Sequence, residues 1–431
     1  MSPPPSAPYG SRRPWASLPQ DLVEQIGWRV LAGDLLDYVR LRAVCAHWKS
    51  STVGPRGRGL VDPRFHPRRW MMLPEGHGLY PGHPSLGGYV RFFNLSTGAF
   101  ARVHLPIFDD HIVLDSTDGL LLLHGDHDAA IRLLNPFTGD IAELPSLVSV
   151  LPQMDEEPCY RHLMEKTSRL GEPSVFLDGV CAAVSIDAAG AVTVMLSLCR
   201  FHHVAHATVG DQRWTLAAWK LPRFTRAASF RGKLYGASMT FNNKKLHINQ
   251  IDPPQPNAEG LSRPQEMFKC PLVGLINLVE CGSELMIVGF SDTTYSRLVV
   301  YRVADLMSSR VIPVTSIGDH VLLLYERGVC VSPLTRASLS LWATLSSAYM
   351  INRVSWGTAA MSGNTILVVA PGLQPLMETF YAKTTPHQAL ACSSIIFTHV
   401  ASADIEKNKG FLFCASIIPD WSVKPNLQIK G

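Results

Sequence analysis

Apolar residues recur with two different periods along this chain. Between residues 15 and 52 the period is helical. Leu18, Leu22, Ile26 and Val30 stand at four-residue steps, which predicts one face of an α-helix. Ser17 and Gln20 have capping-box spacing, and Pro19 is tolerated in a first turn. Gly33 breaks the pattern and Asp34 offers a new N-cap. After it, Leu41, Val44, Cys45 and Trp48 fall at i, i+3, i+4 and i+7, a second apolar stripe. Gly54 and Pro55 close the segment. Beyond residue 75 the period shortens to apolar runs of strand length separated by turn residues.

One repeat stands out in that second region. Phe92-Phe93-Asn94-Leu95-Ser96-Thr97-Gly98 leads to Leu105-Pro106, and Leu133-Leu134-Asn135-Pro136-Phe137-Thr138-Gly139 leads to Leu144-Pro145. Asn94 and Asn135 are 41 residues apart, as are Gly98 and Gly139. Each copy predicts a strand, an N-x-x-T-G turn and a second strand, because Asn and Gly tolerate the left-handed angles of tight turns. Fainter copies follow: a strand over 192–198, Trp214 to Leu216 after a Gly210-Asp211 turn, a hairpin around Gly232, a strand pair over 285–290 and 298–303, and apolar runs over 321–325 and 329–331. A period of about 40–50 residues in an all-β region points to propeller blades. The predicted fold class is therefore α+β multidomain, a small all-α module followed by a large mostly-β propeller-like domain of about six or seven blades.

Composition agrees with that division. Of 431 residues only 17% are charged, while Gly and Pro number 32 and 31, which argues against a helical bundle and suits short strands and tight turns. The net charge is +4, but eleven basic and five acidic residues lie in 1–70, so the positive excess belongs to the N-terminal part. Residues 1–14 are rich in Pro and Ser and lack the apolar core of a signal peptide. No apolar run reaches membrane-span length. A cytoplasmic or nuclear location is expected, with no membrane partner. The nine cysteines are widely spaced and form no C-x-x-C pair.

A helical module of about forty residues rarely buries enough surface to stand alone, so it must dock on this chain or on a partner. Its residues resemble an F-box. Leu18-Pro19-Gln20-Asp21-Leu22, Ile26, Val30-Leu31, Asp34-Leu35-Leu36 and Val44-Cys45-Ala46-His47-Trp48-Lys49 match the pattern L-P-x-D-L-L followed by V-C-x-x-W-R. Val23 stands where Leu is usual and Lys49 where Arg is common. The resemblance implies binding to a Skp-type adaptor and, through it, a cullin. Leu18, Pro19, Leu22, Ile26, Val44, Cys45 and Trp48 would meet the adaptor.

The larger region also resembles a plant family, F-box/kelch-like, that joins an F-box to a β-propeller-like domain of unknown function. The matching pieces are Asp62-Pro63-Arg64-Phe65 with Pro67-Arg68-Arg69-Trp70, the run 133–139, Gly210-Asp211 with Trp214-Thr215, Gly232-Lys233-Leu234-Tyr235, and Ser316-Ile317-Gly318-Asp319-His320. The expected organisation is a disordered tail over 1–13, the F-box over 14–53, a basic Pro/Arg-rich linker over 54–75 and the propeller-like domain over 76–343. A divergent segment over 344–431, a last blade or a poorly ordered stretch, completes it. The linker carries Arg56, Arg58, Arg64, Arg68 and Arg69, but Pro55, Pro63 and Pro67 deny it the helix of a groove reader. It reads as solvated, packed in part by Phe65 and Trp70, with no nucleic-acid partner.

Candidate chemistry is sparse. His124-Gly125-Asp126-His127-Asp128 has metal-ligand residue types, yet it also suits a polar hairpin tip, and no second cluster supports it. His202, His203 and His206 sit in strand or loop and lack the Glu of H-E-x-x-H. Nucleophile-elbow and phosphate-loop motifs are absent. The expectation is a non-catalytic protein with no cofactor or metal: the substrate-recognition subunit of an SCF-type ubiquitin ligase, whose propeller recruits an unidentified target protein. The alternative is a stand-alone propeller that binds a small ligand or glycan in its channel, for which the His124 to Asp128 loop would be the motive.

Overall fold

The chain is seen here in a computed structural model. It describes residues 15–72, 88–154, 180–222, 225–240, 245–255, 261, 272–291, 298–317, 321–324, 328–331, 365–369, 395–398 and 412–417. The helical period of the first segment yields α1 (Gln20–Gly33), α2 (Leu35–Arg42) and α3 (Ala46–Ser50). Pro19, with φ −53° and ψ 144°, is the N-cap of α1, and no side chain caps that end. The N-cap is therefore Pro19 and not Ser17 as the capping-box spacing predicts, because the chain takes a 3-10 turn over Trp15–Ser17 before the helix starts.

The face that α1 buries is Val23, Gly27 and Leu31, one position on from the predicted stripe. Gly27 sets this choice. A Cβ there would lie 2.9 Å from the Thr52 methyl and 3.3 Å from the Tyr38 ring, so the bare backbone admits both neighbours. Asp34 caps α2 as expected, its Oδ1 accepting the N–H groups of Leu36 and Asp37 at 2.8 and 3.1 Å. Leu31, Leu35, Tyr38 and Phe65 form the module's core, flanked by Trp28, Val30, Val53 and Phe137. The second stripe contributes only Leu41 to the interior, since Ala43 and Val44 leave the helix before α3 begins.

Residues 54–72 are more than a solvated connector. Leu60, Phe65, His66 and Trp70 are buried, and Phe65 lies within 6.4 Å of the Trp28 and Tyr38 rings, centroid to centroid. Strand β1 (Trp70–Met72) already belongs to the first sheet, within the stretch expected to be linker. Arg64 pairs with Asp62 at 2.7 Å and lies over the Trp28 ring, its guanidinium carbon 4.3 Å from the centroid.

Antiparallel sheets follow one another in chain order. The first is β1, β2 (Tyr89–Asn94) and β3 (Phe100–His104). The second is β4 (His111–Thr117), β5 (Leu120–Gly125), β6 (Ile131–Leu134) and β7 (Ile141–Leu144). The third is β8 (Val180–Ile186), β9 (Val192–Leu198), β10 (His203–Thr208) and β11 (Thr215–Leu216). The fourth is β12 (Arg226–Phe230), β13 (Lys233–Thr240) and β14 (Lys245–Ile251). The fifth contains β15 (Val273–Cys281), β16 (Glu284–Phe290) and β17 (Leu298–Arg302), followed by the short helix α4 (Val303–Met307).

The runs near 321 and 329 were expected to open a further blade. Instead β18 (Val321–Leu324) and β19 (Gly328–Val331) extend the fifth sheet, β19 pairing in parallel with β15. Most of the segment over 344–431 lies outside the described residues. Within it β20 (Thr365–Val369), β21 (Ile395–Thr398) and β22 (Leu412–Ile417) pair as a sheet.

The first strands of successive sheets stand side by side: β4 beside β8, β8 beside β12, and β12 beside β15. Leu120, Leu122, Leu133, Val194, Leu196 and Trp214 fill the layer between the second and third sheets. Trp214 is fully buried and donates its indole N–H to the Pro145 carbonyl at 2.6 Å. The domain is thus mostly strand, built as blades packed face to face. Among the described residues no helix is long and apolar enough to cross a membrane.

Candidate functional site

The seven residues expected to meet an adaptor all lie on the helical module, and none belongs to its core. Pro19, Leu22 and Val44 are exposed, Leu22 at 42% and Val44 at 63%, while Leu18, Ile26, Cys45 and Trp48 are half-buried. Of the predicted stripe on α1 only Val30 packs inward. The stripes could equally have served to dock the module on its own propeller; the geometry assigns that task to other side chains.

The two ends of this set are joined by hydrogen bonds that span 29 and 33 residues of sequence. His47 Nε2–H donates to the Leu18 carbonyl at 2.8 Å, and the Trp48 indole N–H donates to the Trp15 carbonyl at 3.3 Å. The spacing C-x-x-W has a local cause. Cys45 is the N-cap of α3, and its Sγ accepts the Trp48 backbone N–H at 3.5 Å, closing the helix start over one turn. Tyr38 Oη donates to the Val53 carbonyl at 2.7 Å, and Arg42 donates to Thr52 through both its carbonyl and its hydroxyl, which ties the end of α3 back to α2. Trp15, 74% exposed, and Val39, 37% exposed, add apolar surface that the motif did not name. Trp15 stood in the sequence as an aromatic just ahead of the Leu18-Pro19 pair.

The other clusters are occupied with their own sheets. In the β5–β6 hairpin Asp128 accepts from Arg132 and from the Ala130 N–H, and the Arg132 guanidinium holds its carboxyl down to about 2. Arg132 also meets Glu143 at 3.3 Å and His111 Nε2 at 2.6 Å, while His111 Nδ1 faces Asp110 at 2.6 Å. His124 is buried in β5, and burial pushes its imidazole below the usual range. His203 and His206 lie on β10 and His202 in the turn before it, so they share no helix face. Among the described residues no group of three or more His, Cys, Asp or Glu is arranged to hold a metal. Cys45, Cys181, Cys199 and Cys281 carry free thiols, and burial pushes those of Cys181 and Cys199 up, which suits packing rather than nucleophilic chemistry.

A family model described as KIB1-4 beta-propeller matches residues 92–339, more than half of the chain. No curated protein matches the chain.

Proposed function

Because the chain belongs to the KIB1-4 beta-propeller family, which is associated with F-box proteins, we propose that it is the substrate-recognition subunit of an SCF-type ubiquitin ligase. The observation that carries the reading is that none of Leu18, Pro19, Leu22, Ile26, Val44, Cys45 and Trp48 is taken into the module's core, with Pro19, Leu22 and Val44 exposed and the other four half-buried. Apolar side chains that a chain leaves exposed together mark a protein partner. Here the F-box resemblance names that partner as a Skp-type adaptor that leads to a cullin.

The mechanism is tethering. The module holds the adaptor and the propeller holds the target, so the target's lysines sit at high effective concentration near the charged conjugating enzyme. No residue of this chain takes part in the transfer, and the protein acts as a non-catalytic receptor. The loop that motivated a free-standing ligand-binding propeller is engaged in ion pairs within its own sheet, which favours the receptor reading.

The test is affinity purification of the full chain from plant cells under proteasome inhibition. Adaptor and cullin are expected with wild type and absent with a Leu22→Asp, Val44→Asp variant. Capture of neither by wild type, or of both by the variant, would remove the proposal.

A further inference from the structure

The carboxylate of Asp34 serves two structures at once. Its Oδ1 caps α2 through Leu36 and Asp37, as described above. Its Oδ2 accepts the Trp70 indole N–H at 2.7 Å and the Asn94 side-chain amide at 2.8 Å. Trp70 lies on β1 and Asn94 ends β2, and the two are register partners in the first sheet. One anionic oxygen thus receives two donors from the propeller, while the other fixes the start of a helix of the module. Hydrogen bonds to a charged acceptor are the stronger kind, and two donors converging on one oxygen define a direction.

Asn94 is built for this task. Its Oδ1 is spent inside its own turn, accepting the N–H groups of Ser96 and Thr97 at 2.9 and 3.0 Å, so only its amide group points outward. The second copy of the turn does the same with a different target. Asn135 Oδ1 accepts from Phe137 and Thr138, and its amide donates to the carbonyls of Gly59 and Phe65 at 2.9 and 3.1 Å. Apolar contact accompanies both. Leu36 of α2 packs against the first blade's cluster, and Phe137 touches that cluster and the module's core.

We propose that Asp34 is a positioning residue that locks the helical module to the first blade, so that the exposed face of the module keeps one fixed orientation relative to the propeller. The consequence for ubiquitin transfer rests on the receptor reading: a fixed orientation presents a bound target in one direction, and loosening it spreads the target's lysines over a wider volume. The orientation itself does not depend on that reading.

Asp34→Asn separates the two duties of the side chain. Asn is a good N-cap and keeps an acceptor for Leu36 and Asp37. Its amide group would then face two N–H donors, and the lock is lost. Spin labels carried by noncanonical residues at Arg29 on α1 and Arg102 on β3, both exposed, report the distance between module and propeller in the full chain. Wild type should give one narrow distance distribution and Asp34→Asn a broad one, with adaptor capture unchanged. Adding Asn94→Asp to Asp34→Asn reverses donor and acceptor at that contact, though not at Trp70, and should narrow the distribution in part. Trp70→Phe, which removes a single donor, should broaden it less, and this serves if Asp34→Asn fails to fold.

A narrow distribution in both Asp34→Asn and Trp70→Phe would overturn the proposal, leaving the apolar contacts as the sole coupling. So would a double variant no narrower than Asp34→Asn alone. Failure of wild type to capture the adaptor would count against the receptor reading only, since the distances are read without it.

Discussion

Asn135 donates its side-chain amide to the carbonyl of Gly59, 76 residues earlier, at 2.9 Å. Around this bond the Asp140 carboxylate accepts the N–H groups of Gly57 and Gly59 at 2.8 and 2.7 Å. A loop of the N-terminal region is thus held by the last turn of the second blade. Gly59 must stay bare, because a Cβ there would lie 2.8 Å or less from the side chains of Asn135, Asp140 and Thr138. Gly59→Ala is expected to cost about 2–3 kcal/mol by overpacking and by displacing these bonds. Gly57→Ala, which meets open space but has φ +75°, should cost only the left-handed backbone penalty of about 1 kcal/mol. Urea denaturation of the two variants checks the ranking; equal midpoints would contradict it.

Asp128 gives stability a pH signature. Arg132 lowers its carboxyl from 3.8 to about 2 in the folded chain, so the unfolded chain binds the proton more readily. The contribution is fully present above pH 4 and is lost as pH falls toward 2. Asp128 is about half exposed, which keeps the effect small. The midpoint difference between wild type and Asp128→Asn should therefore shrink across that window, and a difference constant in pH would argue against the ion pair.

His66, His124 and His206 act with the opposite charge type but in the same direction. Burial lowers each imidazole below 6.5, and for His66 it outweighs the nearby Asp118. The neutral form is favoured in the folded chain, so as pH falls through 6.5 the unfolded chain takes up protons first and stability declines. His66 is 7% exposed, with Nε2 facing the Leu60 carbonyl at 3.3 Å. His66→Gln should flatten part of the loss between pH 6.5 and 5 in thermal melts. An unchanged slope would mean that His66 takes up its proton at the same pH in the folded and unfolded chain.

The interior between the second and third sheets sets the scale for damage elsewhere. Leu122 is fully buried there, and Leu122→Ala is expected to cost about 3–4 kcal/mol from lost burial and a cavity. Trp214→Phe removes the indole bond to Pro145 as well as ring volume, and about 2–3 kcal/mol should follow. Calorimetric melting temperatures below wild type in both variants check this.

Much of this organisation was legible in the residues. The N-x-x-T-G repeat gave two turns with matching bonds: Gly98 and Gly139 both have positive φ, and their N–H groups reach Asn94 and Asn135 carbonyls at 2.9 Å in each copy. Asp34 declared the start of α2. What the pattern hid has physical causes. Leu120 to Leu123 are all fully buried, because the strand is covered on both faces, so no alternation marks β5. The buried face of α1 was displaced by one position because Gly27, which carries no apolar signal, is its centre. The outward amides of Asn94 and Asn135 look like ordinary turn residues until their partners, 60 and 76 residues away, are brought beside them.

The central claim is tested most directly by calorimetric titration of the full chain with a purified Skp-type adaptor, wild type against Leu22→Asp, Val44→Asp. Both side chains are exposed, so the variant should melt like wild type. The account predicts saturable binding by wild type and a loss of at least about a hundredfold in the variant, as two charges buried without partners would cost about 3 kcal/mol or more. Equal affinity in the two proteins, or no binding by wild type, would contradict it.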